Sequence, residues 1–188
     1  MLIIEGTDGI GKTILARRLE EELQKHGPWI YSHLSKPPAT WEYPQSYLPH
    51  IMTHKIQDRF HMSSVVYDIA RGDKPLLLPE QYRLVDAYCR LHGAFTVVLT
   101  ATEKIVANVD CSTQLYSEIV HQDVNKMYME LVAADTSFMP KDYLTLLPQY
   151  KVDWDLSYHR TDPTKFPAED ENLIKKILAR YMERINAL

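Results

Sequence analysis

"LIIEGTDGIGKTILARRLEEEL" (residues 2–23) places an apolar run, a glycine-rich loop and an amphipathic pattern directly after one another. The run Leu2–Glu5 reads as a short strand buried in the middle of a sheet. Downstream, Ile14, Leu15, Leu19 and Leu23 fall on one helical face with charges opposite, and Gly27-Pro28 ends the helix. Between them, Gly6 to Thr13 matches G-x-x-x-x-G-K-[ST] at every fixed position. The glycines let successive backbone N–H groups converge on phosphate oxygens, and the helix N-terminus adds a favourable dipole. Lys12 reaches the β- and γ-phosphates as a point charge, and the Thr13 hydroxyl is a ligand for Mg²⁺. A bare glycine turn is the simpler reading, but strand, motif and helix together point to a loop for a nucleoside triphosphate. Asp8, Gly9, Ile10, Gly11, Lys12, Thr13 and Ile14 are therefore the residues expected to hold Mg-ATP.

The remaining composition sets bounds. A chain of 188 residues is expected to form one domain, spanning 1–188, with a proper hydrophobic core. No run approaches the ~20 apolar residues of a membrane span, and Leu2–Ile4 is too short and lacks the basic flank of a signal peptide. Cys89 and Cys111 form no CxxC pair and read as reduced thiols of a cytoplasmic protein. A net charge of -4 disfavours sequence-independent binding to a polyanion without excluding a local basic channel.

Strand and helix patterns alternate along the chain, which predicts an α/β layer structure with a mostly parallel sheet. "WIYSHL" (29–34) reads as the second strand, "HKIQDRF" (54–60) as the third and "AFTVVLTA" (94–101) as the fourth, with "DLSYHRT" (155–161) as the last. "HMSSVVYDIARG", "LPEQYRLVDAYCRLHG" (78–93), "EIVHQDVNKMYMELVAA" and "AEDENLIKKILARYMERINAL" read as helices. The proline- and aromatic-rich segment 35–49 reads as loop or short irregular helix, and residues 103–118 are polar and ambiguous.

A switch or motor ATPase carries an acid at the end of an apolar strand, but "AFTVVLTA" ends in Thr100 and Ala101. The candidate acid is Asp58, at the end of the third strand, followed at once by Arg59. In a parallel sheet the carboxyl ends of neighbouring strands converge on the nucleotide site. There an acid can hold Mg²⁺ through water or take a proton from a hydroxyl, and an arginine can grip phosphate bidentately. "DRFHMSSVVYD" (58–68) resembles the D-R-[YF]-x-x-S-[SN]-x-x-[YF] segment of thymidylate kinases and related deoxynucleoside kinases. "EGTDGIGKT", with its acidic Asp8, is similar to the loop of the same family. The resemblance implies a three-layer P-loop NTPase fold. By the same resemblance Asp8 meets the sugar or acceptor phosphate, Arg59 binds the acceptor or transferred phosphoryl group, Phe60 lines the acceptor side, Ser64 faces the base edge, and Tyr67 packs on the sugar. A plain amphipathic helix with Tyr67 in the core is the competing reading of 60–67.

Three features depart from the family pattern. The acceptor-side region 35–57 is short, with only 23 positions from Ser35 to Asp58; Trp41, Tyr43 and Tyr47 there are either an aromatic wall for a base or ordinary packing. Gly9 stands where related loops carry arginine, a variant usually paired with a basic lid, yet the lid candidate 103–118 holds no arginine and only Lys104. Lys12, Mg²⁺ and Arg59, with Arg17, Arg71 or Lys126 in support, are then the cations left for the transition state. Finally, Asp68 replaces an amide, and reads as a solvated helix charge more readily than as a base-selecting residue.

Minor features read blandly. His50 and His54 lack a third metal ligand, "TDPT" (161–164) reads as a turn although it resembles the segment beside adenine in related kinases, and Lys175, Lys176, Arg180 and Arg184 read as a solvated helix face. The resulting expectation is an ATP- and Mg²⁺-dependent kinase with Lys12, Asp58 and Arg59 as catalytic residues and Thr13 and Asp58 at the metal. Its acceptor is a small-molecule deoxynucleotide or deoxynucleoside, with no membrane partner, and a homodimer is compatible with the reading. The alternatives are a hydroxymethylated base (hydroxymethyluracil) within phage DNA as acceptor, or a nucleotide-binding regulatory protein with little turnover.

Overall fold

The structure is a computed structural model that describes residues 1–34, 41, 43–101, 118–133, 140–143, 145, 147, 149–154 and 171–186. Five strands form one parallel sheet: β1 (Leu2–Gly6), β2 (Ile30–His33), β3 (Lys55–Asp58), β4 (Phe95–Ala101) and β5 (Gln149–Trp154), in spatial order β2-β3-β1-β4-β5. The chain runs outward from β1 to β2, returns through β3, and then crosses to the other side of β1. That reversal opens a crevice at the carboxyl end of β1, the usual ligand position in an open α/β sheet.

Period-two alternation assigns the faces. Leu2, Ile4, Phe95, Val97 and Leu99 pack with α1 (Lys12–Gln24) and α5 (Glu171–Asn186) on one side. Ile3 and Val98 pack with α2 (His61–Ala70), α3 (Pro79–Leu91) and α4 (Glu118–Ala133) on the other. The result is the three-layer α/β architecture of the P-loop NTPase fold, with the central strands β1, β3 and β4 buried between the helical layers and β2 at an exposed edge. Among the described residues no helix is long and apolar enough to cross a membrane.

Two glycine features seat the first strand and loop. Gly6 has φ 142°, and a Cβ there would lie 2.5 Å from the Leu99 carbonyl oxygen, so only glycine allows β1 to pass β4 this closely. Gly9 and Gly11 have φ 75° and 86°, the left-handed turns that fold the loop over the start of α1.

Several expectations change. The fifth strand is Gln149–Trp154, a segment not read as a strand; the proposed strand 155–161 and the turn 161–164 lie outside the described residues, as do 35–40 and 102–117 of the acceptor region and the lid candidate. Residues Gln45–His50 form a 3-10 helix. Tyr47 within it is wholly buried, edge-on to Phe60 at 5.2 Å, with Trp41 packed against it at 5.0 Å. Tyr47 is therefore core packing, with the half-buried Trp41 and Tyr43 set against it, and Gln81 Nε2 donates to the Tyr43 carbonyl. Asp68 is not a solvated charge. It is 9% exposed, accepts hydrogen bonds from Arg71 and from the Leu76 backbone N–H, and so closes the turn after α2. Lys175, Lys176 and Arg180 do lie on the exposed face of α5, with Arg184 half-buried.

Cys89 is buried and unpaired, and Cys111 lies outside the described residues. His50 stacks on Trp41, and His54 packs edge-on against Trp29.

Candidate functional site

The loop, the end of β3 and the end of β2 enclose a cleft of about 330 Å³ lined by Asp8, Gly9, Gly11, Lys12, Thr13, Ile14, His33, Asp58 and Arg59. Its floor is the N-terminus of α1. Gly11 caps that helix without a side-chain hydrogen bond, so the first-turn N–H groups remain the donors that a phosphate takes at such a position.

Lys12 is 5% exposed; its ammonium donates to the Thr7 carbonyl and lies 3.5 Å from Asp8 Oδ1. Burial pulls its pKa down to about 8, against the opposing attraction of Asp58 and Glu5. Above about pH 8 the free protein therefore holds Lys12 largely neutral. A triphosphate seated beside it restores the charge, so binding takes up a proton. Calorimetry of ATP binding in two buffers of different ionisation enthalpy is expected to show proton uptake that grows between about pH 7 and pH 9, with apparent affinity falling above about pH 8. Uptake that does not change with pH would contradict this assignment.

Asp58 is fully buried. Its Oδ2 accepts from the Thr13 hydroxyl at 2.6 Å and the Tyr31 hydroxyl at 3.0 Å, with His33 Nδ1 at 3.1 Å. Its Oδ1 is buried and has no hydrogen-bond partner among the described residues. An orphaned carboxylate oxygen beside a threonine hydroxyl is a hard-oxygen donor pair suited to Mg²⁺, whose other positions phosphate and water commonly fill. Among the described residues no three His, Cys, Asp or Glu side chains cluster to hold a metal by themselves.

Arg59 adopts φ 65°, a left-handed conformation that costs a non-glycine residue about 1–2 kcal/mol. Hydrogen bonds on both sides hold it there: its N–H donates to the Ile4 carbonyl at 2.9 Å, and the next N–H, of Phe60, donates to Glu5 Oε1 at 2.9 Å. The kink turns the guanidinium back to the loop, where it pairs with Asp8 and lies 5.3 Å from the centre of the Tyr67 ring.

The structure thus gathers Asp8, Gly9, Gly11, Lys12, Thr13, Ile14, Asp58 and Arg59 around one cleft and leaves four expected residues off its lining. Ile10 and Phe60 are fully buried in the two cores, Tyr67 is 5% exposed beneath Arg59, and the Ser64 hydroxyl bonds to Tyr47. Phe60 has no surface to offer an acceptor, because its ring fills the space between Tyr47 and His61. Of the reserve cations, Arg71 is held by Asp68 and Asp73, while Arg17 stacks on the Tyr31 ring at 3.7 Å.

Three contributors escaped the sequence reading. His33 and Tyr31 share a face of β2 by their i, i+2 spacing, and His33 is in register with Asp58. Glu5 was the one charge in an otherwise apolar strand. It is fully buried, accepting from the Phe60 and Ser63 N–H groups, from the Ser63 hydroxyl at 2.5 Å and from the Tyr128 hydroxyl at 2.8 Å. It thereby caps α2 from the neighbouring strand and joins α4 to the loop.

Neither a protein-family model nor a curated protein sequence matches the chain. In three dimensions it is similar to the YorR protein of Bacillus subtilis, solved in complex with phosphorylated GDP. The TM-score is 0.61 at 18% sequence identity, and the match covers 95% of this chain and 97% of that one. At that identity the likeness is one of fold.

Proposed function

We propose that the protein is a thymidylate kinase-like phosphotransferase that moves the γ-phosphoryl group of ATP to a deoxynucleotide or deoxynucleoside. The observation that carries this reading is the cleft that sets Lys12 and Thr13 of the loop against Asp58 and Arg59 of the third strand. A protein that only binds nucleotide needs the loop; the added acid and arginine on the opposite wall are what transfer requires. The fold shared with a protein that was solved with a guanine nucleotide supports a nucleotide as ligand.

In this reading the loop N–H groups and Lys12 hold the donor phosphates, and Thr13 with Asp58 would hold Mg²⁺. An ion held there would supply positive charge against the donor phosphates. Arg59, released from Asp8 by a competing anion, grips the acceptor side or the transferred group. The acceptor oxygen forms the new bond to phosphorus as the bond to the bridging oxygen breaks, and ADP leaves. The alternative for a hydroxyl acceptor is that Asp58 acts as the base that takes the proton instead of holding the ion.

The test is incubation with γ-labelled ATP and Mg²⁺ against deoxynucleosides, deoxynucleoside monophosphates, and DNA with and without hydroxymethylated bases. Label in a small-molecule product is expected. Label in DNA alone would replace the acceptor, and ATP binding without transfer to any acceptor would favour a regulatory protein.

A further inference from the structure

Asp58 is held from one side only, and the residues that hold it come from the strand beyond it. Oδ2 carries three contacts, from Thr13, Tyr31 and His33, while Oδ1 carries none among the described residues, although both belong to a fully buried carboxylate. A buried carboxylate free to turn would share its donors between its two oxygens, so the asymmetry has a structural cause. That cause is traceable outward. The Tyr31 ring is covered by the Arg17 guanidinium at 3.7 Å, Arg17 pairs with Glu20 at 2.9 Å, and the other oxygen of Glu20 accepts the Tyr31 N–H at 2.9 Å. The tyrosine is thus clamped by α1 through both ring and backbone, and its hydroxyl can meet only one oxygen of Asp58. His33, on the same face and in register with Asp58, adds its contact to the same oxygen while lining the cleft.

We infer that Tyr31 and His33 are positioning residues that lock the Asp58 carboxylate beside Thr13, where the two would hold the cation of the bound nucleotide, directly or through its water. The inference rests on the Mg-ATP reading above. It assigns to β2 the task that a metal site's outer ring of hydrogen bonds performs, whose loss commonly weakens metal binding about 10–100-fold. Both residues contact Asp58 Oδ2, and each acts through Asp58.

The experiment measures ATP binding by calorimetry in EDTA and in Mg²⁺, together with Mn²⁺ binding to the protein–ATP complex by electron paramagnetic resonance. The proteins are the wild type, Tyr31→Phe, His33→Leu, His33→Asn and Asp58→Asn. In EDTA, Tyr31→Phe, whose residue is off the cleft lining, is expected to bind ATP within about twofold of wild type, which also shows that the loop is folded; His33→Leu is referred to its own affinity in EDTA, because His33 lines the cleft. The affinity gained on adding Mg²⁺, and the Mn²⁺ affinity, are expected to fall about tenfold in both. His33→Asn, which keeps an N–H donor, recovers most of that loss.

A full Mg²⁺ gain in Tyr31→Phe, with the gain lost in Asp58→Asn, overturns this inference and leaves the function intact. Equal weakening of Tyr31→Phe in EDTA and in Mg²⁺ also overturns it, because the strut would then be merely structural. A wild type whose ATP affinity ignores Mg²⁺ overturns both readings.

Discussion

Lys12→Met abolishes phosphoryl transfer to the acceptor, lowering the rate by at least about 10²–10³, while the folded protein stays as stable as wild type or gains stability. The two halves of this expectation have one origin. Lys12 is 5% exposed, and its pKa falls from 10.5 in the open chain to about 8 in the fold. A group whose folded pKa is depressed favours the fold above the unfolded pKa, and that contribution is lost as pH falls from about 10.5 through about 8. At neutral pH the loss is complete and is on the order of 3 kcal/mol. Methionine fills the same space without a charge to desolvate. Phosphoryl transfer, by contrast, loses the ammonium that compensates charge on the β- and γ-phosphates. Transfer assays on the variant, beside urea unfolding at pH 7, test both halves; a variant that transfers at wild-type rate refutes the assignment of Lys12.

Glu5→Ala is the substitution expected to harm the fold most, by roughly 3–5 kcal/mol in urea unfolding. The carboxylate is fully buried and receives two backbone N–H groups and two hydroxyls. Alanine leaves a cavity and strips the start of α2 of its cap. The Ser63 and Tyr128 hydroxyls still have each other at 2.8 Å, but the Phe60 and Ser63 N–H groups have no substitute. Glu5→Gln is expected to lose much less, since the amide oxygen accepts the N–H groups and the amide NH₂ donates to the hydroxyl oxygens. Equal losses in the two variants would mean that the negative charge and second acceptor oxygen, not packing or the N–H cap, are what Glu5 supplies, because glutamine keeps the volume and one acceptor. Because Phe60 follows Arg59 directly, the alanine variant also frees the kink that turns Arg59 toward the cleft.

How much of this was legible before the fold was known follows from the range of each interaction. The loop was legible because phosphate loops are local: glycine φ angles, lysine and threonine act within eight consecutive residues, Gly6 to Thr13, beside a strand and helix with clear periods. Asp58 and Arg59 were legible from their place at the end of a strand that a parallel sheet brings to β1, and the pairing of Ile4 with Asp58 realises it. The fifth strand, Gln149–Trp154, was not legible: with charges at Lys151 and Asp153, it lacks the apolar run that marks the central strands. The aromatic residues of the 41–47 region were undecidable from sequence, because a wall for a base and a lid on a core use the same side chains. Burial of Tyr47 against Phe60 decides for packing at that residue.

The sequence by itself determined the glycine-rich loop and which acid and arginine stand opposite it, since both motifs are short and their geometry is set by neighbouring backbone. Only the tertiary structure decided how those residues are held. Glu5 finds Tyr128 across 123 positions, Tyr31 finds Asp58 across 27, and Arg59 takes a left-handed turn that no feature of arginine foretells. Such contacts are set by the register of strands and by which helix covers which face. A buried polar group must find its partner wherever the packed chain brings one, and that place is written in no single stretch of the sequence.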